Sequence, residues 1–240
     1  MTVTARRNSD DAGLAAALAH HQAGRRVEAD RICQQILEAS PANAAAHHLR
    51  GQIAHESGDT RGAVALLARA VALDGSVALY HAALGDAHLA LGDLSAAEDC
   101  HRRAIALDSR SASSHNSLGL TLRARGEVAG AVGSYRQALL LRPDIPEIWC
   151  NLADALFALG NLDDAIECLR NALATTPEFA RAHNDLGCLY ARAGDHSAAE
   201  ACFRRALALD PAFAIAGRNL GDALKAVGRH AEAEAYFRRG

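Results

Sequence analysis

The chain has 240 residues, half of them apolar and only 4% aromatic, so a core is easily built but few large rings are available to fill it. A net charge of −3 and a pI near 6.4 exclude a global field that would draw the chain to nucleic acid or to an anionic membrane. No apolar run approaches the ~20 residues that span a bilayer. The first eleven residues carry Arg6 and Arg7 and lead into a short Ala/Leu/His stretch ending at Gly24, not into a secretory leader. Six cysteines (Cys33, Cys100, Cys150, Cys168, Cys188, Cys202) form no C-x-x-C pair, the pattern of reduced thiols in a cytoplasmic protein.

A period of 34 residues organises everything else. Leu84-Gly85 recurs as Leu118-Gly119, Leu152-Ala153, Leu186-Gly187 and Leu220-Gly221. Gly58, Gly92, Gly126, Gly160, Gly194 and Gly228 keep the same step, as do Ala63, Ala97, Ala131, Ala165, Ala199 and Ala233. In chain order the spacing predicts a flexible lead over 1–9, six full repeats over 10–43, 44–77, 78–111, 112–145, 146–179 and 180–213, and a partial one over 214–240. Each repeat reads as helix A, a turn at the recurring glycine, and helix B. Gly194 suits a left-handed turn after helix A. Ser95 with Glu98, and Ser197 with Glu200, have the spacing of a capping box opening helix B. Pro41, Pro143, Pro177 and Pro211 fall just beyond helix B, which proline cannot continue. Small residues such as Gly187, Ala199 and Ala206 lie where helices cross, and Leu186, Tyr190 and Phe203 fill the space between.

Trp149, Leu152-Ala153, Leu156, Ala165, Leu169, Ala172 and Pro177 in the fifth repeat resemble the tetratricopeptide repeat, as do His183, Leu186-Gly187, Tyr190, Ala199, Phe203, Ala206 and Pro211 in the sixth. The resemblance covers 10–240. It implies an all-α, right-handed superhelical solenoid of about seven helix–turn–helix units. It also implies a scaffold or adaptor that binds a protein or peptide, with helix A lining the groove, and not an enzyme. By that resemblance the candidate peptide-binding residues are Asn116 and Arg123, then Asn151, Asp154 and Phe157, then Asn184 and Arg192, and finally Arg218, Asn219, Asp222 and Lys225. An amide both donates and accepts, so a row of asparagines suits the main chain of an extended peptide.

Competing chemistries are weaker. His47, His81, His115 and His183 share one packing register, whereas His21, His48 and His55 are expected to face the groove. Neither set has convergent metal-binding spacing, so no metal or other cofactor is expected. Cys150 and Cys188 are expected to face the groove without a base, and no catalytic motif is present. An outer column, Arg102, Arg136, Arg170, Arg204 and Arg238, is mostly matched by a glutamate four residues earlier. Acidic groove positions (Asp86, Asp154, Asp185, Asp222) speak against nucleic acid. The carboxylate clamp of heat-shock co-chaperones has no matching set. Asn151 and Asn219 match the asparagine slot of O-GlcNAc-transferase-like arms, from which Asp185, Ser117, Ala83 and Leu49 depart. A substrate-recruiting arm of a glycosyl-, methyl- or sulfotransferase is therefore the alternative reading. With the sequence stopping inside helix B of repeat seven, Leu220, Leu224 and Phe237 are expected to leave an apolar edge open to self-association.

Overall fold

The computed structural model describes residues 3–238. The described chain holds fourteen helices: α1 (Val3–Gln22), α2 (Arg26–Ala39), α3 (Ala44–Glu56), α4 (Thr60–Leu73), α5 (Ala78–Leu91), α6 (Leu94–Leu107), α7 (Ala112–Ala124), α8 (Val128–Leu141), α9 (Pro146–Ala158), α10 (Leu162–Thr175), α11 (Ala180–Arg192), α12 (His196–Leu209), α13 (Ala214–Ala226) and α14 (His230–Phe237). They form two compact units, 1–125 with α1–α7 and 126–240 with α8–α14. Within each unit, consecutive helices pack as antiparallel pairs, each second helix packs on the next first helix, and first helices touch one another. That is repeat stacking, in which each helix pair buries its second face only against a neighbour.

The period translates directly into backbone. α3, α5, α7, α9, α11 and α13 begin at 44, 78, 112, 146, 180 and 214, the first residue of each expected repeat. The recurring glycine has φ between +74° and +89° at all seven positions, the left-handed conformation a side chain would oppose. Small-residue slots take knobs from helix B. A Cβ built on Gly187 would meet the Phe203 ring at 2.6 Å, and one on Gly51 would meet Leu67 at 2.6 Å. The shared histidine register also has a physical role. His47 Nε2 lies 3.1 Å from the Pro41 carbonyl, His81 3.0 Å from that of Gly75, His115 3.2 Å from that of Ser109 and His183 2.9 Å from that of Pro177. Trp149, in the same register, donates Nε1–H to the Pro143 carbonyl at 2.8 Å. Each ring thereby pins the loop six residues upstream.

Three expectations change. Helical backbone starts at Val3, so residues 3–9 of the expected lead belong to α1. The capping boxes shift: Asp93 and Asp195 are the N-caps of α6 and α12, accepting from the amides of Ala96 at 3.4 Å and Ala198 at 2.9 Å. Ser95 and Ser197 fall inside the first turn, because an aspartate follows the left-handed glycine and its carboxylate reaches the free amides first. Glu98 and Glu200 pair with arginines instead, Glu98 with Arg102 and Arg125, Glu200 with Arg204 and Arg229. Finally, Leu220 and Leu224 are fully buried, in a cluster with Ala199, Phe203 and Ala233. α12 and α14 cover that face of α13, so of the expected apolar edge only Phe237 is exposed, at 42%.

Candidate functional site

In the second unit one face of α9, α11 and α13 carries the predicted groove positions. Periodicity puts Asp154 and Phe157 on α9, Asp185, Cys188 and Arg192 on α11, and Arg218, Asp222 and Lys225 on α13 on adjoining stripes. Asn116 and Arg123 lie on α7, in the first unit.

The asparagines lie deeper than the sequence suggested. Asn151 and Asn184 are 7% and 5% exposed. Asn219 donates to Asn184 Oδ1 at 2.9 Å and reaches Cys188 Sγ at 3.3 Å, and Asn184 donates to Asp185 Oδ1 at 3.1 Å. Arg181 closes the other end, donating Nε–H to Asp185 at 3.3 Å and one Nη to Asp154 at 3.3 Å and to Asn151 at 3.4 Å. A continuous polar strand therefore crosses three helices, running from Asn219 through Asn184, Asp185 and Arg181 to Asn151 and Asp154. Burial raises the Asp185 carboxyl above its ordinary value and Asp154 adds to this, while Asn184 and Arg181 pull the other way. The amide N–H groups of Asn184 and Asn219 are spent between side chains of the wall, since polar groups buried here must find partners within it, while the half-buried Asn219 still borders the cavity. Arg181 is the member that sequence reading missed; the visible signal was its i, i+4 spacing to Asp185.

Beside this strand is an open cavity. A space of about 660 Å³ is lined by Phe157, Cys188, Arg192, Asn219, Asp222 and the α13 alanines. A second, of about 250 Å³, shares Phe157, Cys188 and Arg192 and reaches Asp154 and Asp185. The floor is apolar, with Phe203 and Ala223 beneath. Phe157 is 37% exposed, and the Arg192 guanidinium stands 5.8 Å from its ring centroid, within cation–π range. Arg192, Arg218 and Lys225 are exposed and make no ion pair among the described residues, against the single exposed, unpaired carboxylate of Asp222. The groove face of α11 and α13 is thus locally basic, although the chain is acidic overall.

The thiols are not poised for chemistry. Cys150 is fully buried, not groove-facing, and burial pushes its pKa up to about 12; Cys188 is raised to about 11, chiefly by burial. In the first unit, His48 is 6% exposed and stacks on Tyr80 with ring centroids 4.8 Å apart, so it packs between helices instead of facing the groove. His21 and Arg26 both hold Glu56, at 3.0 and 2.9 Å. Among the described residues no group of three His, Cys, Asp or Glu side chains could hold a metal ion, and no helix is long and apolar enough to cross a membrane. Of the outer arginines, Arg102, Arg204 and Arg238 pair with the glutamate four residues earlier at 2.6, 2.8 and 2.9 Å, while Arg170 bonds the Tyr190 hydroxyl at 2.8 Å.

Tetratricopeptide-repeat family models match residues 81–113, 119–160, 144–212 and 219–240. No curated protein sequence matches the chain. Among solved structures, a chain of the APC/C hetero-tetramer Cut9–Hcn1 is similar with a TM-score of 0.77 and 22% identity, over 88% of this chain and 42% of that one. The chain thus spans less than half the length of that structure. PilF of Pseudomonas aeruginosa is similar with a TM-score of 0.77 and 19% identity, over 88% of this chain and 96% of that one. YrrB is similar with a TM-score of 0.60 and 19% identity, over 77% and 95%. At these identities the likeness is one of fold.

Proposed function

From the premise that this chain carries tetratricopeptide repeats, a protein-interaction scaffold fold, we propose that its second unit holds an extended, acidic segment of a partner protein in the groove of α9, α11 and α13. The observation that carries this is the cavity of about 660 Å³ walled by Phe157, Arg192, Asn219 and Asp222. An apolar side chain of the partner enters it and covers Phe157. Acidic residues beside that anchor meet Arg192, Arg218 and Lys225, which make no ion pair among the described residues. Asp222 gives the register a polarity, because it repels an acidic residue placed next to it and accepts a basic one. Asn151 and Asn184 act beneath the surface and Asp154 at its edge. Together with Arg181 they fix the spacing of the three helices, so the groove is preformed and binding orders little of the wall. Asn219, half-buried, offers the edge of its amide to the peptide main chain. One protein of the same fold, YrrB, is a tetratricopeptide-repeat protein with an unusual peptide-binding site, which is in keeping with this use of the fold.

The test is selection of peptides from a random displayed library on the immobilised full chain. The account expects enrichment of an apolar anchor flanked by Asp or Glu, and loss of that enrichment on Arg192→Glu. Selection of basic or featureless peptides, unaffected by Arg192→Glu, would overturn it.

A further inference from the structure

The register of the loop-pinning rings holds a glycine at each end, Gly13, where a Cβ would meet Ile36 at 3.1 Å, and Gly217, where space is open. Residues 47, 81, 115, 149 and 183 are His, His, His, Trp and His, and every one places a ring nitrogen within 3.2 Å of the carbonyl six residues upstream. The next position in this register is Gly217, and the carbonyl six residues upstream is that of Pro211. The loop itself is built like the others. Phe213 N–H donates to the Asp210 carbonyl at 3.1 Å, as Phe179 does to Thr176 at 3.2 Å and Asn43 to Ser40 at 3.0 Å. Asp210 further braces the turn by accepting from the Ala212 amide at 3.0 Å. The acceptor is therefore presented as in the other repeats, while the ring is missing.

Space is present where that ring would stand. A Cβ built on Gly217 would meet nothing within 4 Å. Around it lies a pocket of about 370 Å³ walled by Leu207, Pro211, Phe213, Gly217 and Tyr236, with Arg204 at its edge. Its walls are in register with those of the cleft beside Trp149, where Leu139, Pro143 and Arg136 hold the positions of Leu207, Pro211 and Arg204. The chain thus supplies its own template of the occupant: a flat aromatic ring bearing an N–H, bordering a cleft shared with proline and leucine and donating to a loop carbonyl, with a guanidinium on the same cleft to favour a π face.

We propose that the Gly217 pocket is a binding site for an N–H-bearing aromatic ring supplied in trans, specifically the indole of a tryptophan side chain on a partner polypeptide. The site lies outside the residues assigned to the α9/α11/α13 groove and stands or falls separately from it. Indole is favoured over imidazole because its nitrogen is always a donor, whereas a neutral imidazole presents a donor or an acceptor at a given nitrogen according to tautomer. It also covers more of the apolar wall.

Three measurements on the full chain decide it. The first is titration of isotope-labelled protein with indole, followed by amide shifts. Saturable shifts are expected at Phe213, Gly217 and Tyr236 with a Kd of about a millimolar, normal for so small a fragment. The second is the same titration with 1-methylindole, which keeps the ring and lacks the donor. It should bind about two- to tenfold more weakly, the worth of one net hydrogen bond. The third is Gly217→Trp, which places the ring in cis. It should abolish indole binding and raise the urea midpoint of the second unit. Gly217→Ala controls for helix propensity and should leave indole binding measurable. Absence of saturable shifts at these three residues overturns the proposal, as does equal affinity for 1-methylindole, or a Gly217→Trp protein that still binds indole there.

Discussion

Gly187→Ala tests the packing logic of the repeat, because the chain contains its own control. An alanine Cβ at 187 would lie 2.6, 2.8 and 3.0 Å from three ring atoms of Phe203. That ring is 1% exposed and packs among Leu220, Leu224 and Ala233, so it cannot swing aside. Overpacking of this kind costs about 1–3 kcal/mol, and alanine returns about 1 kcal/mol of helix propensity. The net loss should be about 1 kcal/mol. In the fifth repeat the same two slots hold Ala153 and Leu169, both buried, so a Cβ fits there beside a leucine that has packed around it, unlike Leu67, which fills the space over Gly51. Gly187→Ala made in a Phe203→Leu background should therefore be neutral, or stabilising by up to about 1 kcal/mol. The coupling energy between the two positions should be about 1–2 kcal/mol. Urea denaturation of the four proteins, followed by fluorescence of Trp149, the chain's single tryptophan and a member of the second unit, measures it. Additivity within ~0.5 kcal/mol would refute the claim that the glycine is small because of the ring.

Gly133→Ala should have the opposite sign: it sits inside α8 with nothing within 4 Å of a built Cβ, and should stabilise by about 0.5–1 kcal/mol in the same urea assay. Leu152→Ala, at a side chain 3% exposed, should cost about 2–5 kcal/mol, whereas Arg170→Ala should cost under about 1 kcal/mol because what is lost is an exposed bond and ring contact to Tyr190; equal losses would mean the inner and outer faces are misassigned. Stability of the first unit should fall on acidification. Burial lowers the His48 pKa from 6.5 to about 4, so the unfolded chain takes up this proton first as pH drops below 6.5, and the penalty grows to about 3 kcal/mol by pH 4. Buried His101 is also lowered, chiefly by burial with Asp86 opposing, and so acts in the same direction. Urea midpoints between pH 7 and pH 4.5 should drop for the parent and drop less for His48→Leu; parallel curves would contradict this assignment.

The parts of the fold that depend on period were legible in the sequence. Helix starts, left-handed glycines and the glycine–knob pairing repeat at one spacing, and each occurrence corroborates the others. What escaped depends on pairs outside the period. Asp93 and Asp195 displaced Ser95 and Ser197 as caps because two plausible caps lay two residues apart and only loop geometry chose between them. Arg181 occupies a position with no groove role in the resemblance, and it matters only because acceptors on α9 and α11 converge on it. Asn151 and Asn184 were identified as groove-side amides, but how far they sink into the wall depends on the neighbouring helix. Gly217 is visible in the sequence as a break in the ring register, but only the ring-to-carbonyl bonds of the other repeats give it meaning.

The central claim is that the groove face of the second unit binds an extended acidic segment around an apolar anchor. Calorimetric titration of a library-selected peptide of that kind into the full chain tests it most directly, comparing the parent with Phe157→Ala/Arg192→Ala and with the outer-face pair Arg102→Ala/Arg136→Ala. The account predicts binding at least about tenfold weaker for the groove pair, with an unchanged Trp149 unfolding midpoint, and parental affinity for the outer pair, since loss of an anchor contact and a charge contact is worth at least about 1.4 kcal/mol. Parental affinity in the groove pair together with loss in the outer pair would contradict it and place recognition on the arginine column.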